Sequence, residues 1–331
     1  MSTLITVRPE GLYCEPGDFY IDPWKAVETA LITHAHSDHA RAGSQQYYAT
    51  GISEGVLRKR LGAEINLHGV TYGEKLKLGK TWVSFHSAGH VLGSAQIRVE
   101  CDDEVWVVSG DYKRCADPTC EPFEVVECDA FITEATFGLP IYRWESGEAI
   151  AQAIHHWWQA DPERPSLLFC YSFGKAQRVL SELTKLTDQT VYVHGAVHIL
   201  NEIYREVGIE MLPTMPVSAM PKNYKFAGDL IIAPPSGHRS SWMKRFKRPQ
   251  TAFASGWMSV RGARRRRGYE RGFVLSDHAD WPSLIRTVKE TQAKTVYVTH
   301  GQNEVLSRYL TEEMGIQAMP LKTLFEGEGD I

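Results

Sequence analysis

Short apolar runs, each broken by glycine or by a polar cluster, set the rhythm of the first part of the chain. Runs at residues 4–7, 12–14 and 19–21 predict brief strands, with Gly11 and Gly17 between them. Further strands are expected at 30–33, 65–67, 81–86, 95–100 and 104–108. The last two pair as a hairpin turned by Cys101, Asp102 and Asp103. Residues 130–133 form another apolar strand ending at Glu134, and 51–61 read as a helix. Sheets covered by helices are the architecture this pattern predicts.

Near Tyr142 the periodicity changes. Helical runs at 147–159, 175–186 and 196–207 alternate with strands at 166–171, 191–194, 230–233 and 251–255, and a short helix is expected at 241–246. Alternation of that kind predicts a mostly parallel sheet. A strand at 273–276, a helix from Trp281, a strand at 296–299, one more helix and a strand-like stretch at 319–325 then restore the earlier style. The expectation is therefore an α/β protein in which residues 1–141 and 272–331 build one domain and 142–271 a second, inserted one.

Bulk properties add little except in one place. Of the 331 residues, 43% are hydrophobic and 23% charged, which is ordinary for a globular protein. The formal charge of -4 excludes a uniformly basic protein. Yet between Lys244 and Arg271 ten Lys or Arg residues face a single acid, Glu270. Nucleic acid is the leading partner for such a segment. The six cysteines show no CxxC pair and no framework spacing, so reduced thiols are expected. With neither a signal segment nor an apolar run long enough for a membrane span, the expected compartment is the cytoplasm.

The chemistry concentrates just beyond the strands. His34, His36, Asp38 and His39 put three imidazoles and a carboxylate within six positions, at an expected turn from strand into helix. His90, Asp111 and His300 each follow a strand of their own, with a glycine beside each that permits close backbone approach. Nitrogen and carboxylate donors without thiolate fit a pair of zinc ions, and also manganese. Two adjacent ions can share a hydroxide, orient a phosphate and offset the charge that builds on it. His68, His86, His155, His156, His194 and His198 read as ordinary polar positions.

Those motifs carry a resemblance. The HxHxDH run at His34–His39, Ser87-Ala88-Gly89-His90 and Ser109-Gly110-Asp111-Tyr112 resemble the metallo-beta-lactamase fold. The stretch from Cys128 to Gly138 around Glu134, Ser276-Asp277-His278-Ala279-Asp280, and His300 resemble the extra motifs of its beta-CASP nucleic-acid-processing branch. Tyr171–Gln177 resembles the entry to that branch's inserted domain. The similarity covers nearly the whole chain and is nearest in look to bacterial exonuclease-like proteins associated with a DNA ligase. It implies an αββα metallo-beta-lactamase sandwich with an inserted α/β beta-CASP domain. It also implies His34, His36 and His90 on one ion, Asp38, His39 and His300 on the other, and Asp111 between them. Glu134 would orient His278, which would protonate the departing oxygen. The implied activity is DNA-end trimming in repair, with an ATP-dependent DNA ligase and a helicase as partners and single-stranded or free-ended DNA as substrate. A histidine at position 300 is typical of RNA-processing members, so an RNA nuclease is the alternative. A non-catalytic nucleic-acid-binding scaffold and a small-ester hydrolase are more distant ones.

Substrate contacts are expected in the second domain. Ser172, Lys175 and Arg178 stand where a strand passes into a helix, a place where exposed amides and nearby cations can receive a phosphate. His238 and Arg239 follow another strand in the same way. Arg264, Arg265, Arg266 and Arg267 form the densest basic run, and Trp242, Trp257 and Tyr269 interleave with it as candidate base-stacking rings.

Overall fold

A computed structural model describes residues 3–260 and 268–324. The chain divides into two compact units. The first takes in the chain up to Arg114, Cys120–Arg143 and the chain from His278; the second takes in Cys115–Thr119 and Trp144–Asp277.

In the first unit, one six-stranded sheet runs in chain order: β1 (Ile5–Arg8), β2 (Gly11–Cys14), β3 (Phe19–Ile21), β4 (Thr29–Leu31), β5 (Gln46–Thr50) and β6 (Leu67–Val70). The first three strands pair antiparallel and the rest parallel. A seven-stranded sheet contains β7 (Leu76–Leu78), β8 (Thr81–Ser87), β9 (Ala95–Cys101), β10 (Glu104–Val108), β11 (Ala130–Glu134), β18 (Thr295–Thr299) and β19 (Gln317–Pro320), in the order β19-β18-β11-β10-β9-β8-β7. Apolar residues of both sheets, among them Phe19, Leu31, Phe85 and Ile97, form one buried cluster. Alternate residues of the seven-stranded sheet, such as Val107, Phe131, Val296 and Val298, pack instead with Trp281, Leu284, Leu306 and Leu310 from helices α5 (Trp281–Glu290) and α6 (Asn303–Glu312). The period of two along each strand thus divides its side chains between two cores.

Among the described residues the second unit holds six strands, all parallel, in the order β14 (Thr214–Pro216), β13 (Val191–Val193), β15 (Leu230–Ala233), β12 (Ser166–Phe169), β16 (Gln250–Ala254) and β17 (Arg271–Phe273). Strands β12, β13, β15 and β16 are buried throughout, as expected for a parallel sheet covered on both faces. Helices α2 (Gly147–Gln159) and α3 (Lys175–Glu182) contribute Ile150, Ile154, Val179 and Leu180 to one core. Helix α4 (Gly195–Glu206) adds Val197 to it. Phe226, Phe246 and Met258 fill the other.

Several expectations are corrected. The strand read at 273–276 is β17, and it pairs in parallel with β16 in the second unit's sheet, so that unit runs on to Asp277. The helix expected at 51–61 starts at Glu54 (α1, Glu54–Leu61), after a 3-10 turn at Gly51–Ser53. The helix expected at 175–186 ends at Glu182 and gives way to a 3-10 turn at Leu183–Lys185. Strands β5, β7 and β14 went unread. Two of them are only three residues long, and short strands carry little periodic signal. Among the described residues no helix is long and apolar enough to cross a membrane.

Ile154 is fully buried on α2. Truncation to Ala should cost about 2–5 kcal/mol, through lost transfer free energy plus a residual cavity. Urea unfolding should show the lower midpoint, and an unchanged midpoint would contradict this packing.

Candidate metal centre

Strand direction gathers the centre. Strands β10, β11 and β18 run parallel side by side, so Asp111, Glu134 and His300 leave the sheet at one end. Strand β8 is antiparallel to β9, which is antiparallel to β10; β8 therefore shares their direction and delivers His90 to the same end. Ligand-binding groups collect at the carboxyl ends of parallel strands for this reason. The His34–His39 run follows β4, where a turn closed by the His39 and Ala40 amides on the His36 carbonyl replaces the expected helix start. Two glycines are obligatory here. Gly110 has φ +55, and a Cβ on it would lie 2.6 Å from Thr33 Oγ1; Gly89 has φ +68, with Lys113 O at 2.5 Å.

Among the described residues, three groups of donor atoms could hold a cation, each with its atoms within 4.8 Å of one another. They are His34, His36, His90 and Asp111; His39, Asp111 and His300; and Asp111, Glu134 and His278. Asp111 belongs to all three. Its Oδ2 lies 3.5 Å from His34 Nε2, 3.5 Å from His39 Nε2 and 3.8 Å from His90 Nε2. His90 Nε2 and His36 Nδ1 are 3.0 Å apart, and the His39 and His300 rings stack at 5.3 Å. Asp38 is half-buried and falls outside these groups, although its Oδ2 is 3.8 Å from His39 Nε2. His34 Nε2 and Asp111 Oδ1 are buried without a hydrogen-bond partner. A buried nitrogen lone pair and carboxylate oxygen left in that condition are costly unless a cation uses them. The donor set therefore fits metal.

Electrostatics point the same way. Burial, reinforced by neighbouring histidines, holds His34 well below its usual range; burial brings His36 down to about 4 and His300 to about 3. These rings are neutral at pH 7, the form that ligates metals. Burial raises Asp111 to about 7 despite the pull of His39. His39 is the exception. Burial lowers it, but the carboxylates of Asp111, Asp38 and Asp22 overcome that and raise it to about 10.

Asp22 was missed by sequence reasoning. Just beyond β3, with φ 44, it accepts the Thr33 amide at 2.7 Å and meets His39 Nδ1 at 2.7 Å. It therefore fixes the ring so that Nε2 faces Asp111. An Asp before proline at the end of an apolar run is the signal that could have revealed it. Glu134 works in parallel. Its Oε1 accepts the Tyr112 amide at 2.7 Å, and its Oε2 meets His278 Nδ1 at 2.8 Å.

The expected phosphate contacts of the second unit fare differently. Lys175 and Arg178 are buried, not surface cations. Lys175 Nζ lies 3.3 Å from Asp277 Oδ2. Arg178 lies 3.6 Å from Asp277 and 3.4 Å from Asp117, and donates to the Ser276 carbonyl at 2.8 Å. Side chains committed to buried carboxylates are not available to a surface phosphate. Gln177 closes the helix start, accepting the Gly174 amide at 2.8 Å and donating to the Ser172 carbonyl at 2.9 Å. His238 stacks on Tyr269 at 4.0 Å, while Arg239 is exposed beside Gly268. Trp242, Trp257 and Tyr269 pack, half-buried, against the second unit's core. Arg264, Arg265, Arg266 and Arg267 lie outside the described residues.

Two outcomes follow. Arg178→Leu strands the Asp117 and Asp277 carboxylates, so it should destabilise by about 3–5 kcal/mol in chemical denaturation. Weaker nucleic-acid binding with unchanged stability would refute the assignment. His39 has a folded pKa raised from 6.5 to about 10. Its contribution is complete below 6.5 and disappears as pH climbs towards 10. Chelator-stripped protein should therefore melt at a lower temperature at pH 10 than at pH 7, and His39→Asn should flatten that decline; equal slopes would contradict it.

No family profile matches the chain. A probable DNA ligase of Opitutus terrae is 29% identical over 316 residues, which span 93% of this chain and 30% of that protein. An RNase J-like protein of Methanocaldococcus jannaschii is 24% identical over 217 residues, 54% of this chain and 50% of that one. The chain thus spans half or less of the length of these relatives. In fold it is similar to the crystal structure of a protein of unknown function from Enterococcus faecalis V583. The TM-score is 0.63 at 13% identity, over 89% of this chain and 79% of the other. The motifs around His34, His90, Asp111, Glu134 and His278, together with these relatives, make the chain similar to the metallo-beta-lactamase/beta-CASP family.

Proposed function

We propose that the chain is a nuclease with a two-metal centre that hydrolyses phosphodiesters at DNA ends. The convergence of His34, His36, His39, His90 and His300 on Asp111 carries this reading. In it, the two sheets and their helices are the αββα sandwich, and the second unit is the beta-CASP insertion. His34, His36 and His90 would hold one ion and His39 and His300 the other, with Asp38 beside His39 and Asp111 within reach of both sets. Zinc suits these donors, and manganese is the alternative.

Paired divalent ions in such a site supply Lewis acidity and a nucleophile at neutral pH. The chain supplies the rest. Asp22 and Glu134 hold the imidazoles of His39 and His278 in single orientations. With Nδ1 of His278 committed to Glu134, Nε2 is the nitrogen that delivers a proton to the leaving oxygen. The carboxylate partner stabilises the imidazolium before transfer, and the buried Tyr112 amide keeps that carboxylate from rotating.

DNA is favoured because the match to the probable DNA ligase extends over 93% of this chain. A role beside a ligase and a helicase in cytoplasmic end repair is part of the same reading. RNA is the second reading, favoured by the RNase J-like relative and by His300 within the centre. End-labelled DNA and RNA of identical sequence, incubated with zinc- or manganese-loaded protein, separate the two. His36→Ala and Asp111→Ala should each reduce hydrolysis at least about 10³-fold, and His278→Ala about 10²- to 10⁴-fold. Undiminished activity in the first two would overturn the nuclease reading, and strong preference for RNA would replace DNA with RNA.

A further inference from the structure

A cleft of about 540 Å³ opens on the first unit where α5 meets α6, a volume suited to a small ligand or one nucleotide. Its apolar wall is Trp281, Ile285 and Tyr309, with the two rings edge to face at 4.9 Å. Three cations ring it: Arg143, Arg286 and Lys289. Their availability differs. Arg286 Nε is engaged by Glu290 at 2.7 Å, whereas Arg143 and Lys289 are exposed and make no hydrogen bond or ion pair among the described residues. Glu290, the only acid in the lining, is also met by Arg114 at 2.7 Å, so its charge is already answered. The cleft is therefore positive and half aromatic.

We propose that this cleft binds single-stranded nucleic acid away from the bond being cleaved, with a phosphate on Arg143 and Lys289 and a base against Tyr309. Cations flanking a ring are the usual means of gripping a single strand without reading its sequence. An acidic peptide would satisfy the two cations but would leave the aromatic wall without a flat partner. The inference rests on the nuclease reading for its choice of ligand.

The experiment uses a fluorescein-labelled 12-nucleotide single strand, as DNA and as RNA, and the full chain in chelator so that nothing is cut. Arg143→Ala/Lys289→Ala is expected to weaken binding about five- to tenfold and to flatten the log-log salt dependence by about 2. With metal restored, KM for the strand should rise while hydrolysis of bis(p-nitrophenyl) phosphate stays at the wild-type rate. Binding and salt slope equal to wild type would overturn the proposal, as would an Asp/Glu-rich peptide being the only ligand lost. Because binding is read without cleavage, a protein that binds through these residues yet cuts nothing would refute the nuclease reading alone. One that cuts normally while the double variant binds normally would refute the cleft alone.

Discussion

One buried carboxylate organises the first unit. Asp111 Oδ2 lies within 3.5–3.8 Å of three imidazole nitrogens, in surroundings where burial raises its own pKa to about 7. Crowding of like groups is tolerable only if most of the rings stay neutral and a cation can use their lone pairs. Burial enforces the first condition on His34, His36 and His300. Strand direction enforces the geometry. The carboxyl ends of β8, β10, β11 and β18 meet at one edge, and the glycines at 89 and 110 let backbone pass where a Cβ would collide.

Around these donors lies a layer of side chains that decides how they point. Asp22 orients His39, Glu134 orients His278, and the Lys113 ammonium donates to the His90 carbonyl at 3.1 Å. The two carboxylates are themselves held by main chain: Asp22 by the Thr33 amide and Glu134 by the Tyr112 amide. Donors locked in this way would lose little further entropy on binding a metal. The left-handed conformations of Asp22 and His300 are where the backbone yields to this arrangement.

The second unit shows how a charge can mislead. Lys175 and Arg178 stand at a strand-to-helix junction, which in sequence looks like a phosphate cradle. In the fold they are among the most buried cations of the described residues, neutralising Asp277 and Asp117. Charge alone is the same signal in both settings. What separates them is whether an acid distant in sequence arrives at the same place, as Asp117 does for Arg178.

The sequence by itself determined the alternation of strands and helices, the change of style near Tyr142 and the metal-type donor cluster, because period and local spacing are properties of neighbouring residues. It also carried the motifs on which the resemblance to metallo-beta-lactamase/beta-CASP proteins rests. Only the tertiary structure decided that β17 belongs with the parallel sheet, that Asp22 supports His39, that Lys175 and Arg178 are interior, and that Asp38 stands outside the tight donor groups. Those depend on pairing register and on burial, which bring together residues as far apart as Asp117 and Arg178 or Glu134 and His278. No local pattern records such a meeting, since the partners come from distant parts of the chain.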